Sequence, residues 1–204
     1  MKSRNLTHLI VLFLIFFHTV NAQSTQEAKQ FPDGVYFNFN QLVTGKPGIS
    51  VSQLRTAHLK NTSPKQWFKG DSLFYEQSGK ILSLKVDSIY AFCDEGQLFI
   101  QRKTYAHKVT LPGTLSFFSE SYPIRSSPAP VSIDLAKDMI PRILDFETGK
   151  IREYTVNEME EILKERDPDL YQEFTGLETQ RMKRQLLLRY IEKYNDRHPL
   201  QIKG

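Results

Sequence analysis

Side chains able to do covalent or acid–base chemistry are few in this chain of 204 residues, and their spacing limits what they can do. There is one cysteine, Cys93, and of five histidines only His58, His107 and His198 lie beyond the apolar N-terminal stretch. A cysteine nucleophile needs a histidine within hydrogen-bond reach to draw off its proton, and an acid to orient that ring. His58 or His107, with Asp87 or Asp94, would have to supply both. Cys93 falls in IYAFCDEGQLFI, among aromatic residues of an expected hairpin. A hairpin lacks the electropositive helix N-terminus that lowers a thiol pKa, so the expectation is a buried small hydrophobe. A catalytic zinc site wants three protein ligands, commonly announced by a close pair such as H-E-x-x-H, and these histidines are scattered. No G-x-S-x-G elbow, P-loop or G-x-G-x-x-G occurs. Glycoside hydrolysis would need paired carboxylates. Most acidic residues fall on amphipathic helical segments, where solvation accounts for them, and Asp145 with Glu147 beside a turn is the best placed pair elsewhere. The sequence therefore assigns no catalytic residue, no metal ligand and no cofactor.

The elements that would position such residues are mainly strands. The stretch DGVYFNFNQLVTGKPG, residues 33–48, opens the fold. Asn38 is a good helix N-cap with Gln41 at N3, and Phe37 and Leu42 are spaced as a hydrophobic staple. Gly45 and Pro47 then stop the turn, so residues 38–44 read as a short helix hung from a strand. Residues 49–70 are harder to read, loosely alternating and then turn-rich. Beyond them the pattern is β. Residues 73–76 and 80–86 flank Ser78-Gly79, residues 88–93 and 97–102 flank Asp94-Glu95-Gly96, and residues 107–111 and 115–118 flank Pro112-Gly113. Residues 119–132, SESYPIRSSPAPVS, are rich in serine and proline and read as a connector. Residues 142–146 and 151–154 form a further expected hairpin.

The last third is helical. Thr155 and Glu158 make a capping box, Asp167-Pro168 is an N-cap followed by the favoured first-turn proline, and Gly176 marks a kink. Leu187, Tyr190, Ile191 and Tyr194 recur at helical spacing, and His198-Pro199 ends the pattern. Residues 153–173 hold eight acidic and two basic side chains, whereas residues 178–197 hold six basic and three acidic. Such a reversal suits helices folded back on one another with complementary faces. The basic face has a rival reading as a nucleic-acid or anionic-envelope surface.

The N-terminus reads as an address. Lys2 and Arg4 precede nine unbroken apolar residues, 9–17, and Val20-Asn21-Ala22 supplies small residues before a cut. That is the pattern of a secretory signal peptide, residues 1–22. Nine apolar residues fall short of the roughly 20 that span a bilayer. With no cysteine near the cut, lipid attachment is not expected. Removing Lys2 and Arg4 takes two positive charges from a formal net charge of +4, leaving a balance that does not call for nucleic acid. An exported chain with a single cysteine cannot form an internal disulfide and must stand on its packing.

Three segments carry a resemblance. GVYFNFNQLVTGKP, YAFCDEGQLFI and the tail LDFETGKIREYT…DPDLYQEF…YIEKYNDRHPL are similar to a set of uncharacterised exported proteins of Bacteroidota-type bacteria. Gly34, Tyr36 and Phe39 match a G-x-Y-x-x-F-x-x-F opening in which Leu42 replaces the second Phe. Phe92, Cys93, Asp94 and Gly96 match a G-F-C-D-x-G hairpin, with Ala91 in place of Gly. Tyr194, Asn195, Arg197, His198 and Pro199 match the ending. The resemblance implies location and build, and supplies no activity.

The expected architecture is α+β: an antiparallel β meander with a short N-terminal helix, followed by a C-terminal helical segment. In chain order these are a flexible N-terminus (23–32), a mainly β region (33–154) with its connector at 119–132, a helical region (155–199) packing on it, and a tail (200–204). The leading functional expectation is a non-enzymatic envelope protein, periplasmic or extracellular, that binds an envelope protein or glycan. Trp67, Phe68, Phe117 and Phe118 are its expected partner surface. A hydrolase with a site assembled from scattered residues is the second reading, to be recognised by a pocket joining a histidine to acids. An accessory subunit docking through an uncovered Leu187/Ile191/Tyr194 stripe is the third.

Overall fold

The computed structural model describes residues 31–55, 72–103, 105–123 and 137–202. The expected signal peptide, His58, Trp67, Phe68 and most of the expected connector lie outside the described residues. Strand β1 (Gly34–Tyr36) leads into helix α1 (Phe39–Val43), then β2 (Ile49–Ser50), a single 3-10 turn and β3 (Leu54–Arg55). A run of strands follows: β4 (Ser72–Gln77), β5 (Lys80–Lys85), β6 (Ala91–Asp94), β7 (Gln97–Arg102), β8 (Tyr105–Leu111), β9 (Leu115–Pro123), β10 (Lys137–Asp145) and β11 (Ile151–Glu153). Helices α2 (Val156–Arg166), α3 (Pro168–Thr175) and α4 (Gln180–Arg197) complete the order. The class is α+β, as the alternation of short apolar runs and tight turns implies.

Eight strands form one antiparallel sheet in the order β11-β10-β9-β8-β7-β6-β1-β2, and β3-β4-β5 form a smaller one. Two turns carry positive φ at both central residues, Ser78 (53°) with Gly79 (74°) and Glu95 (48°) with Gly96 (74°). That is the two-residue hairpin geometry whose twist matches the strands it joins. Strand β9 runs on to Pro123, so its end occupies the first five residues of the expected connector, and β10 starts at Lys137, five residues before its expected start. The two pair along their full length, from Asp145 opposite Leu115 to Lys137 opposite Pro123.

A register shift between β8 and β9 decides which side chains meet. Val109 stands opposite Phe118 and Leu111 opposite Phe117. The extra residue reverses the alternation, sending Val109 and Leu111 into different cores. One face of the large sheet gathers Tyr36, Ala91, Cys93, Leu98, Ile100, Val109, Phe118 and Leu144. Phe31, Leu42, Phe146 and Ile202 cover it, so Phe31, in the expected flexible N-terminus (23–32), and Ile202, in the expected tail (200–204), are packed. The opposite face carries two clusters. Leu115 and Ile143 pack under α2, α3 and α4, while Val35, Ile89 and Phe92 pack under the small sheet through Leu54 and Leu73.

The helices are fixed at their starts by side-chain caps. Asn38 accepts from the Gln41 amide, Thr155 from Glu158, Asp167 from Leu170 and Thr179 from Met182. Gln41 reaches the Phe37 amide at 2.8 Å. Phe37 itself packs with the small-sheet cluster while Leu42 joins the other face, so the expected staple is not made. Gly176 ends α3 instead of kinking a continuous helix. The charge reversal is used as expected: Lys183 pairs with Glu160 at 2.8 Å, and Lys193 with Glu173. Leu187, Ile191 and Tyr194 are buried, so the apolar stripe of α4 is spent on this core.

Candidate functional site

Cys93 lies on β6, fully buried, and its thiol donates to the Phe31 carbonyl at 3.2 Å. Burial pushes the thiol pKa up to about 12, with the charges of Asp33 and Asp94 adding to the rise. His107 is also buried, on β8, opposite Ile100 of β7. Strand β7 therefore stands between the imidazole and the thiol, a lateral separation of roughly 9–10 Å for two strand spacings. The structure does not bring these two together as nucleophile and base. Burial lowers the His107 pKa, an effect that Glu120 opposes and Arg102 reinforces.

Asp145 and Glu147 do come together, with bases instead of with a substrate. The Asp145 carboxylate is fully buried and receives both ends of the Arg166 guanidinium, at 3.0 and 2.9 Å. The Thr148 hydroxyl donates to it at 2.8 Å, the Glu147 amide at 3.0 Å, and Arg152 approaches at 3.4 Å. Burial alone would raise the carboxyl pKa. The bonds from Arg166 and Thr148 and the Arg166 charge outweigh it and hold Asp145 below the usual carboxylate range. A carboxyl so held is ionised near neutrality and tied to two arginines, so in a glycosidase pair the general acid would have to be Glu147. Glu147 takes Arg166 Nε at 3.2 Å and the Tyr194 hydroxyl at 3.2 Å. The network locks the β10–β11 turn to α2 and α4.

Beside that turn lies a half-open cleft of about 420 Å³, lined by Val43, Thr114, Phe146, Glu147 and residues 198–201. His198 sits there with Nε2 at 3.0 Å from Asp167, and its ring stacks on Tyr194 at 4.4 Å between centroids. Arg197 also reaches Asp167 at 3.1 Å. The cleft thus joins a histidine backed by an acid to Glu147, and its remaining lining is largely apolar. The Thr114 hydroxyl donates to the His198 carbonyl at 2.5 Å, so this hydroxyl of the lining is bonded to the backbone.

A buried carboxylate that the sequence reading passed over is Glu120, on the β9 extension. It is paired with Arg102 at 3.0 Å and Arg142 at 3.6 Å. The signal for it was present only as an acidic residue between serines. Among the described residues, no three His, Cys, Asp or Glu side chains gather so as to hold a metal ion.

The expected aromatic surface is divided. Phe118 is buried and contributes no outer area. Phe117 is half-buried on the other face, against Tyr154 at 5.0 Å between ring centroids. Apolar side chains reach solvent elsewhere, on β5, where Ile81 is 46% and Leu82 38% exposed. Strand β5 ends its sheet among the described residues. In a two-residue hairpin the residues flanking the turn form a hydrogen-bonded pair, and bonding alternates from there. Gln77 faces Lys80, Tyr75 faces Leu82 and Leu73 faces Leu84. Those pairs use the backbone groups of Lys80, Leu82 and Leu84. The N–H and C=O groups of Ile81 and Ser83 therefore point away from the sheet.

No helix among the described residues is long and apolar enough to cross a membrane. Compared with family models, curated proteins and solved structures, the chain matches none.

Proposed function

We propose that this chain is an exported, non-enzymatic binding module of the cell envelope. The observation that carries the reading is the outer edge of β5, where Ile81 and Leu82 are held in solvent on opposite faces of one strand. Folding leaves a large part of these side chains uncovered, and burial of that part against a partner would gain about 25 cal/mol per Å² covered. Supporting it, the Cys93 thiol and the Asp145 carboxylate are buried and hydrogen-bonded within the scaffold. The signal-like N-terminus and the resemblance of the opening, hairpin and ending motifs support export.

A hydrolase reading draws on a different observation, the cleft in which Asp167-backed His198 faces the same space as Glu147. One experiment separates the two. Immobilised protein is exposed to envelope extract, the retained component is identified by mass spectrometry, purified and titrated back. Saturable stoichiometric binding, undiminished in Cys93→Ala, is the expected result. Conversion of that component to a product, abolished by His198→Ala in a folded variant, would replace this reading with the hydrolase.

A further inference from the structure

We infer that β5 accepts an extended, acid-flanked segment of a partner protein as one more antiparallel strand. The inference rests on the binding reading above and names the partner's chemistry. The groups of β5 that point outward are those of Ile81 and Ser83, with the Lys85 N–H beyond them, while the Lys85 carbonyl takes the Ser88 hydroxyl at 2.6 Å. An added strand satisfies all of them, the way sheets capture extended peptides. The side chains then set which strand fits. Lys80 and Lys85 close the two ends of β5, and their cross-strand neighbours are Gln77 and Ser72, neither of them acidic. No ion pair within the described residues engages either ammonium. Between the lysines, Leu82 and Leu84 lie on the face of Leu73 and Tyr75, and continue the small-sheet cluster outward. Ile81 and Ser83 lie on the other face.

The complementary segment is therefore specified position by position. Acids stand opposite Lys85 and Lys80, apolar residues opposite Leu84, Leu82 and Ile81, and a small polar residue opposite Ser83. A second copy of this chain fails the same test. Antiparallel pairing of β5 with itself, in a register that lets the outward groups of both copies meet (Ile81 opposite Ser83), sets Lys80 opposite Leu84 and brings no acid opposite either lysine. Lysine at an exposed edge is a known guard against self-association.

The test uses the purified protein, isotope-labelled, in the form the cell accumulates, and the capped peptide Gly-Glu-Val-Thr-Val-Val-Glu-Gly. Backbone amide shifts concentrated on β5 and saturating with peptide are expected. Replacing both peptide acids by lysine should weaken binding about tenfold, since two cross-strand pairs turn from attractive to repulsive. Lys80→Glu with Lys85→Glu should reverse that preference. Ser83→Pro removes an outward N–H that β4 does not use, so it should abolish the shifts while the hairpin resonances persist. Shifts elsewhere, equal binding of both peptides, or a dimer that Ser83→Pro dissolves would overturn the inference. An envelope component, protein or glycan, still bound by Ser83→Pro would overturn it too and leave the binding reading standing. Catalytic turnover of that component would instead remove the binding reading itself.

Discussion

Asp145 shows how a residue that reads as chemistry becomes structure. An acid next to a second acid beside a turn is a reasonable glycosidase motif in sequence. What the sequence does not display is that Arg166, 21 positions on, and Arg152 converge on the same carboxylate. Removing one member of a buried pair leaves the other charge desolvated, which costs about 3–5 kcal/mol. Asp145→Asn should therefore lower unfolding stability by roughly 3 kcal/mol in urea titrations, and a change below 0.5 kcal/mol would contradict the network described. The pH dependence follows from the direction of the shift. The folded pKa lies below the unfolded one, near 3.9, so the stabilisation is present above that value and is lost as pH falls through the folded pKa. Wild-type stability should then decline below about pH 4 more steeply than that of Asp145→Asn, with urea midpoints at several pH values as the readout.

At the scale of elements, the junction of α4 with β9 is the most sharply defined. Asn195 Oδ1 accepts from the Leu115 amide at 2.8 Å, and its Nδ2 donates to the Leu115 carbonyl at 2.9 Å. The helix comes this close because Gly113 has no side chain: a Cβ there would lie 2.2 Å from Asn195 Nδ2. Asn195→Ala should cost about 2 kcal/mol, the penalty for two buried backbone groups left without partners. Gly113→Ala should destabilise the wild type and do much less harm in the Asn195→Ala background, a coupling that a double-mutant cycle reads directly. Additive effects would show that the two do not meet. This junction also marks the limit of what local sequence discloses. The caps at Asn38, Thr155 and Asp167, and the Ser78-Gly79 turn, were legible because their bonds close within a few residues. The full extent of β9 was not, since serines and a proline look like a connector until β10 supplies their ladder. The β8–β9 register shift likewise depends on residues six to nine positions apart. For the candidate site, His198 and Pro199 were read as a helix stop. Their place on a cleft follows from Phe146 and Val43 arriving from distant parts of the chain.

At the scale of the molecule, the strands and the helical third are joined through shared packing residues. The helices rest on Leu115 and Ile143 of the large sheet. The other face of that sheet is covered by Phe31 from before β1, Leu42 from α1 and Ile202 from beyond α4. Ile202 packs so near Gly45 that a Cβ there would lie 2.9 Å from its Cγ2. Neither layer can separate without exposing the large sheet to water, and each buried aliphatic side chain so exposed costs about 1.5–3 kcal/mol. A helical module unfolding first would have to pay that cost while β9 and β10 stayed folded with one face bare. The expected behaviour is therefore a single cooperative transition, in which far-ultraviolet and near-ultraviolet dichroism report the same midpoint and the calorimetric and van't Hoff enthalpies agree. Ile202→Asp, which places a charge in the core that closes the sheet, should move both signals to lower denaturant together. A helical signal lost at its own midpoint, ahead of the aromatic signal, would mean that the α4–β9 junction and the covering residues do not bind the layers into one unit.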